Sequence, residues 1–171
     1  RKAKRIMTNL NYYLLDVFTS RQFGGNPLAV FPDADGVSND DMQTISNELN
    51  LSETTFIQKP TNEGSDCTVR IFTPKNELPM AGHPTIGTAF VVLKNRLLVP
   101  RHRDQLVFGE GVGPVQVDFL LNDDRPSNLF MHQPLLKFLE ILQKFPLALI
   151  ILFLRVVLII SCSVVWWLRF L

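Results

Sequence analysis

The sequence predicts a mixed α/β domain, and three observations carry that expectation. Short runs rich in β-branched and aromatic residues recur between Tyr12 and Phe119. Two intervening windows have helical spacing with helix-start chemistry, and Gly-, Asn- and Pro-bearing stretches separate the rest. At 171 residues the chain is long enough for one domain with a sizeable core and short for two. A formal charge of +1 gives no global field toward nucleic acid, so a polyanion partner is not expected.

Tyr12–Phe18 and Pro27–Phe31 read as two strands around the loop Arg21-Gln22-Phe23-Gly24-Gly25-Asn26. Val37–Asn50 reads as a helix. Ser38 is its N-cap, Asp41 occupies the capping-box position, Val37 staples onto Met42, and Asn50 supplies the stop. Met42, Ile45 and Leu49 form its apolar stripe. Ser52–Ile57 and Cys67–Phe72 are two further strands. A second helix is expected over Pro84–Leu93, with Pro84 at the first helical position, where a missing N–H costs nothing. Gln105–Phe108 and Pro114–Phe119 form a hairpin around Gly109-Glu110-Gly111-Val112-Gly113. That glycine pattern imitates a dinucleotide fingerprint, but Pro114 takes its sixth position and strands flank it on both sides, so it reads as a turn.

Beyond Phe138 the character changes. From Phe145 to Leu171 the chain is almost wholly apolar, with Arg155 and Arg169 its only charges. Between Pro146 and Leu168 about fifteen Leu, Ile, Val and Phe residues contribute about 4.5 to 9 kcal/mol toward membrane insertion, against about 2.5 to 3.5 kcal/mol for Arg155. The expected division is therefore a domain over 7–137 and an apolar tail over 138–171. The tail reads either as a membrane helix or as sequence that follows loss of the reading frame near residue 138. Arg1–Asn11 is polar and lacks the apolar centre of a secretory signal, so a cytoplasmic protein is expected, with membrane anchoring through 146–168 as the alternative. Cys67 and Cys162 are far apart and form no redox or zinc pair, and the spacing of His83, His102 and His132 suits no metal site.

Two residues invite a chemical reading. His83 lies between Gly82 and Pro84 at a helix mouth, where unpaired N–H groups and the positive end of the helix dipole attract a carboxylate. Gly82 offers no side chain to block that approach, and the same positive end favours a neutral imidazole near neutral pH. Glu53 opens a strand among apolar neighbours, where a carboxylate needs either a partner or a raised pKa. Taken singly, His83 reads equally well as a capping residue, and Glu53 reads more readily as a rim residue.

Together they do not stand alone. The stretches Asp16-Val17-Phe18-Thr19, Phe23-Gly24-Gly25-Asn26-Pro27-Leu28-Ala29-Val30, Asn50-Leu51-Ser52-Glu53-Thr54-Thr55-Phe56, Arg70-Ile71-Phe72-Thr73-Pro74 and Ala81-Gly82-His83-Pro84-Thr85-Ile86-Gly87-Thr88-Ala89 follow one another in order over Tyr12 to Gln133. In this the chain resembles the phenazine-biosynthesis (PhzF-like) isomerase family. The resemblance implies an α+β fold of the diaminopimelate-epimerase type, a curved mixed sheet wrapped around a central helix, with no metal or organic cofactor. It implies a proton shift on a small organic acid, with Glu53 as general acid/base. His83, Ser52 and Gly82 would hold or polarise the substrate, with Asn26 a weaker candidate for the same cleft.

Two departures qualify the resemblance. Related racemases carry a nucleophilic cysteine where this chain has Ala81, which leaves isomerisation by a carboxylate as the expected chemistry. Family members run to nearly twice this length, and no acidic motif of their second domain occurs after Phe138. The expectation is one wall of a two-walled site, weak or inactive as a monomer, unless two copies pair as a homodimer. A membrane-anchored, non-catalytic binder of small acids is the alternative.

Overall fold

The computed structural model describes residues 9–123 and 125–133. The basic N-terminal run, Cys162, the boundary expected at 137–138 and the apolar segment from Pro146 to Leu168 lie outside the described residues. Among the described residues no helix is long and apolar enough to cross a membrane.

The elements run β1 (Tyr13–Val17), β2 (Asn26–Phe31), α1 (Asn39–Leu49), β3 (Glu53–Gln58), β4 (Cys67–Phe72), β5 (Glu77–Leu78), α2 (Gly82–Lys94), β6 (Gln105–Glu110), β7 (Gly113–Asn122) and β8 (Arg125–Met131). They build one mixed sheet in the order β1-β2-β3-β4-β6-β7-β8, with β5 paired to β4 off that path. The β2–β3 and β4–β6 pairs are parallel and the others antiparallel. Each parallel pair is joined through a helix, as parallel strands require. Helix α2 packs against β1, β2 and β3 and also against β8 at the far end of the order, so the sheet curls around it. The expected sheet wrapped about a central helix is what the chain forms.

Both faces of β2 are covered, which is why its apolar run is continuous rather than alternating. Ala29 and Phe31 face outward into a cluster with Ala34, Met42, Phe56 and Phe72, against which Val37, Ile45 and Leu49 pack. Phe31 stacks on Phe56 at 4.8 Å, and Phe72 meets Phe56 edge-on at 5.5 Å. The apolar stripe expected on α1 thus becomes the outer core. Ser38 caps the helix by accepting the Asp41 N–H at 3.1 Å, and Asn50 closes it in the left-handed conformation.

The inner face carries the alternate residues. Leu28 of β2 lies against α2, where a Cβ built on Gly87 would fall 2.5 Å from Leu28 Cδ2 and 2.8 Å from Val17 Cγ2. Glycine at that position lets the helix sink onto the sheet. Thr55 of β3 shares a buried hydrogen bond of 2.8 Å with Thr88 of α2.

The expected hairpin forms, but its turn is confined to Gly111 and Val112: Gly109 and Glu110 belong to β6, and Gly113, which opens β7, holds φ +112°, a conformation open to glycine. Three further details differ from expectation. Helix α2 begins at Gly82, so Pro84 is the third helical residue rather than the first. The first backbone bond of the helix runs from the Thr85 N–H to the Ala81 carbonyl, so an N–H at position 84 would have no helical partner and proline is tolerated there too. Strands β5 and β8 were not foreseen. The former is two residues long, and Arg125-Pro126-Ser127-Asn128 carries no apolar alternation to announce the latter.

Candidate active site

Register decides which side chains share the inner face. Leu28 of β2 pairs with Glu53 of β3, so the Glu53 end of β3 lies beside the start of β2. Side chains alternate along a strand, so Glu53 projects to the same side as Thr55, toward α2. The mouth of α2 lies at this end of the sheet. There His83 Nε2 approaches Glu53 Oε2 to 3.1 Å, with the imidazole 12% and the carboxylate 17% exposed. The two atoms are close but not aligned as a hydrogen bond, and each is buried with no other partner among the described residues. A buried polar atom without a hydrogen-bond partner is costly, so each of these two atoms calls for an explanation.

Burial is the main influence on His83 and holds its pKa below the ordinary value; the Glu53 carboxylate acts in the opposite sense. The expected neutral imidazole therefore stands, but its principal cause is desolvation. Glu53 has His83 facing it at the strand start, in a contact that is not aligned as a hydrogen bond.

Gly82 and Ser52 adjoin this pair in the chain, and Asn26 lies further off. Gly82 is the first residue of α2, and among the described residues a Cβ there would make one ordinary van der Waals contact, with Met131 Cε at 3.8 Å. Ala81 precedes it as an N-cap with no side-chain hydrogen bond. The first helical N–H groups, on Gly82 and His83, have no partner within the helix. Ser52 is exposed and donates its hydroxyl to the Pro27 carbonyl at 3.3 Å, tying the starts of β2 and β3 together. Asn26 is exposed at the start of β2, on the same end of the sheet but two residues from the Leu28–Glu53 pair.

Other members of the sequence motifs serve the frame. Asp16 accepts the Phe23 N–H at 2.7 Å and holds the β1–β2 loop. Arg70 grips both oxygens of Glu77 at 2.8 and 2.7 Å, which pins β5 to β4. Among the described residues no group of three His, Cys, Asp or Glu is arranged to hold a metal ion. Cys67 is buried, and burial first, with Asp66 and Glu110 adding, pushes its thiol up to about 12, so it is no nucleophile.

One ionisable residue escaped the sequence reading. Glu110, at the end of β6, is only 7% exposed, and its carboxyl lies 2.7 Å from the Thr85 hydroxyl of α2. Strand alternation carried the signal: Glu110 follows Leu106 and Phe108 at steps of two, and both are fully buried.

A family model described as phenazine biosynthesis-like protein matches residues 15–149. The chain belongs to the phenazine biosynthesis-like family. A trans-2,3-dihydro-3-hydroxyanthranilate isomerase of Pseudomonas fluorescens is 55% identical over 82 residues, which are 48% of this chain and 29% of that protein. The Pseudomonas aeruginosa protein of the same name is 40% identical over 124 residues, covering 72% of this chain and 42% of its own length. A crystal structure of a Bacillus anthracis phenazine biosynthesis protein of the PhzF family superposes with TM-score 0.63 at 29% identity, over 73% of this chain and 40% of that one. A hydroxyproline epimerase from Agrobacterium vitis shares the fold, with TM-score 0.54 at 12% identity over 70% of this chain and 40% of that one. This phenazine biosynthesis-like chain thus spans less than half the length of the relatives it matches.

Proposed function

We propose that this chain carries the acid/base wall of a cofactor-independent isomerase acting on a small organic acid. The observation that supports it most is the Glu53–His83 pair, 3.1 Å apart, buried, and without aligned partners. In this reading the substrate carboxylate lies at the mouth of α2, against the free N–H groups of Gly82 and His83, with Ser52 and Asn26 at the rim of the same end. Glu53 takes a proton from one substrate carbon as the C–H electron pair moves into the adjacent π system. The same carboxyl then returns the proton to another carbon of that system. Atoms and electrons balance within the substrate, and no oxidant or added group takes part. A neutral His83 donates a hydrogen bond to the substrate and keeps the Glu53 proton from escaping to water.

Residues 7–137 form the unit that supplies this wall in the proposal. The facing wall comes from residues outside that unit or from a second copy of the chain. With one wall alone, positioning and water exclusion are incomplete and turnover is slow.

The substrate named for the Pseudomonas relatives, trans-2,3-dihydro-3-hydroxyanthranilate, is the first compound to test. Incubated with the full chain in deuterated water, it should isomerise, and Glu53→Gln should lower the rate by about a hundred- to ten-thousand-fold while leaving the melt cooperative. Equal rates in the two proteins would remove Glu53 from the chemistry. Specific activity that rises with protein concentration, alongside a dimer on a sizing column, points to a second copy as the facing wall. A monomer with constant specific activity eliminates that source.

A further inference from the structure

The first turn of α2 is fastened from below by a chain of three oxygens. The Thr85 hydroxyl lies 2.7 Å from the Ala81 carbonyl oxygen and 2.7 Å from Glu110 Oε1. Thr85 is fully buried and Glu110 nearly so, and Glu110 Oε2 has no partner among the described residues. The carbonyl can only accept, and the hydroxyl has a single proton to give. Unless that one proton is shared between two acceptors, both contacts are full hydrogen bonds only when Glu110 Oε1 brings a proton of its own. Thr85 then donates to Ala81, and Glu110 donates to Thr85.

Ala81 is the residue this chain fastens. As N-cap it has no side chain to bond the helix's first N–H groups, where Ser, Thr, Asp or Asn would occupy them. Holding the Ala81 carbonyl from behind fixes the mouth while leaving the Gly82 and His83 N–H groups without a partner among the described residues. We propose that Glu110 is a positioning residue of this site: as a neutral acid it donates to Thr85, locks the Ala81 peptide, and keeps the mouth of α2 set for a carboxylate ligand. The proposal deepens, and rests on, the reading of that mouth as the acid-binding end.

Ionisation undoes the arrangement in two ways. A Glu110 carboxylate draws the Thr85 proton away from Ala81, and it adds negative charge behind a site that receives an anion. Among the groups around it, the Thr85 hydroxyl favours the carboxylate through its hydrogen bond, and burial outweighs it. Helix α2 presents Thr85, with His83 two residues earlier and shifted toward its neutral form. Strand β4 presents the Cys67 thiol, and β7 places Gly113 opposite. Burial raises the Glu110 pKa to about 7.

The test is carboxyl-carbon NMR on the full chain, with the Glu110 resonance assigned through its own backbone and Gly82 and Thr85 amides followed in parallel. The expected midpoint is about 7, with both amides moving at the same midpoint. In Glu110→Gln, whose amide still donates to Thr85, they should hold the acid-form positions of the wild type across about pH 5 to 8. A Glu110 midpoint near the ordinary 4.5, or amides that ignore its titration, would overturn the proposal. If the variant does not fold, the wild-type titration alone decides. Sodium benzoate serves as carboxylate probe: its shifts at Gly82 and His83 should fade with rising pH in the wild type and persist in Glu110→Gln. No benzoate shift at any pH overturns the acid-binding reading instead, and leaves the titration to decide the role of Glu110.

Discussion

Gly87 of α2 and Leu28 of β2 approach so closely that a Cβ on the glycine would lie 2.5 Å from Leu28 Cδ2. Leu28 is also the register partner of Glu53, so this contact sets how near the helix bearing His83 comes to the strand bearing Glu53. Gly87→Ala should cost about 1 to 3 kcal/mol in chemical denaturation, as overpacking does, and shift the His83 ring resonances. An unchanged denaturation midpoint would show that the helix floats freely on the sheet.

His83 should titrate below its ordinary 6.5, because burial disfavours its charged form more than Glu53 supports it. Glu53→Gln should lower the midpoint further by removing that support. The sign for stability follows from the depressed pKa of a base. The contribution of neutral His83 is complete above 6.5 and is lost as pH falls toward and through the folded-state value. Ring-proton NMR against pH reads the midpoint, and a value above 6.5 would mean Glu53 dominates.

Glu110 acts in the other direction along the pH axis. Its folded-state pKa is raised from 4.5 to about 7, so the native protein holds a proton that the unfolded chain releases. Stability is therefore greatest below about 4.5 as far as this group is concerned, and falls as pH rises to about 7. The loss is on the order of 3 kcal/mol. Glu110→Gln should flatten that slope in urea melts, and a slope equal to that of the wild type would assign it to other groups.

Ser38 provides a control remote from the site. Its hydroxyl accepts the Asp41 N–H and donates to Asp41 Oδ2 at 2.8 Å. Ser38→Ala should cost about 1 kcal/mol in a thermal or urea melt without moving the His83 titration. A shifted His83 midpoint would reveal coupling between α1 and the mouth of α2.

Local chemistry made much of this readable in advance. Ser38, Asp41 and Asn50 announce α1 because capping and left-handed closure depend on neighbours a few residues away. The apolar runs announce β1 to β4 for the same reason. The start of α2 was misjudged by two residues because proline is tolerated at any of the first helical positions whose N–H is unpaired. β8 was missed because Asn128 and Ser127 interrupt its pattern, and only pairing with β7 makes it a strand. Glu110 was passed over because a glycine-rich turn drew the reading toward its loop and away from the strand that ends there.

By itself, then, the sequence determined β1 to β4, the β6–β7 hairpin and α1 with its caps, since each follows from side-chain chemistry acting over a few residues, and its motif series singled out Glu53 and His83. The tertiary structure alone decided that these two side chains meet at 3.1 Å. It also decided that burial more than the helix end tunes His83, and that Glu110 reaches Thr85 beneath the same helix turn. Those outcomes depend on sheet register and on how deeply α2 sinks at Gly87, and both arise from contacts between segments distant in the chain.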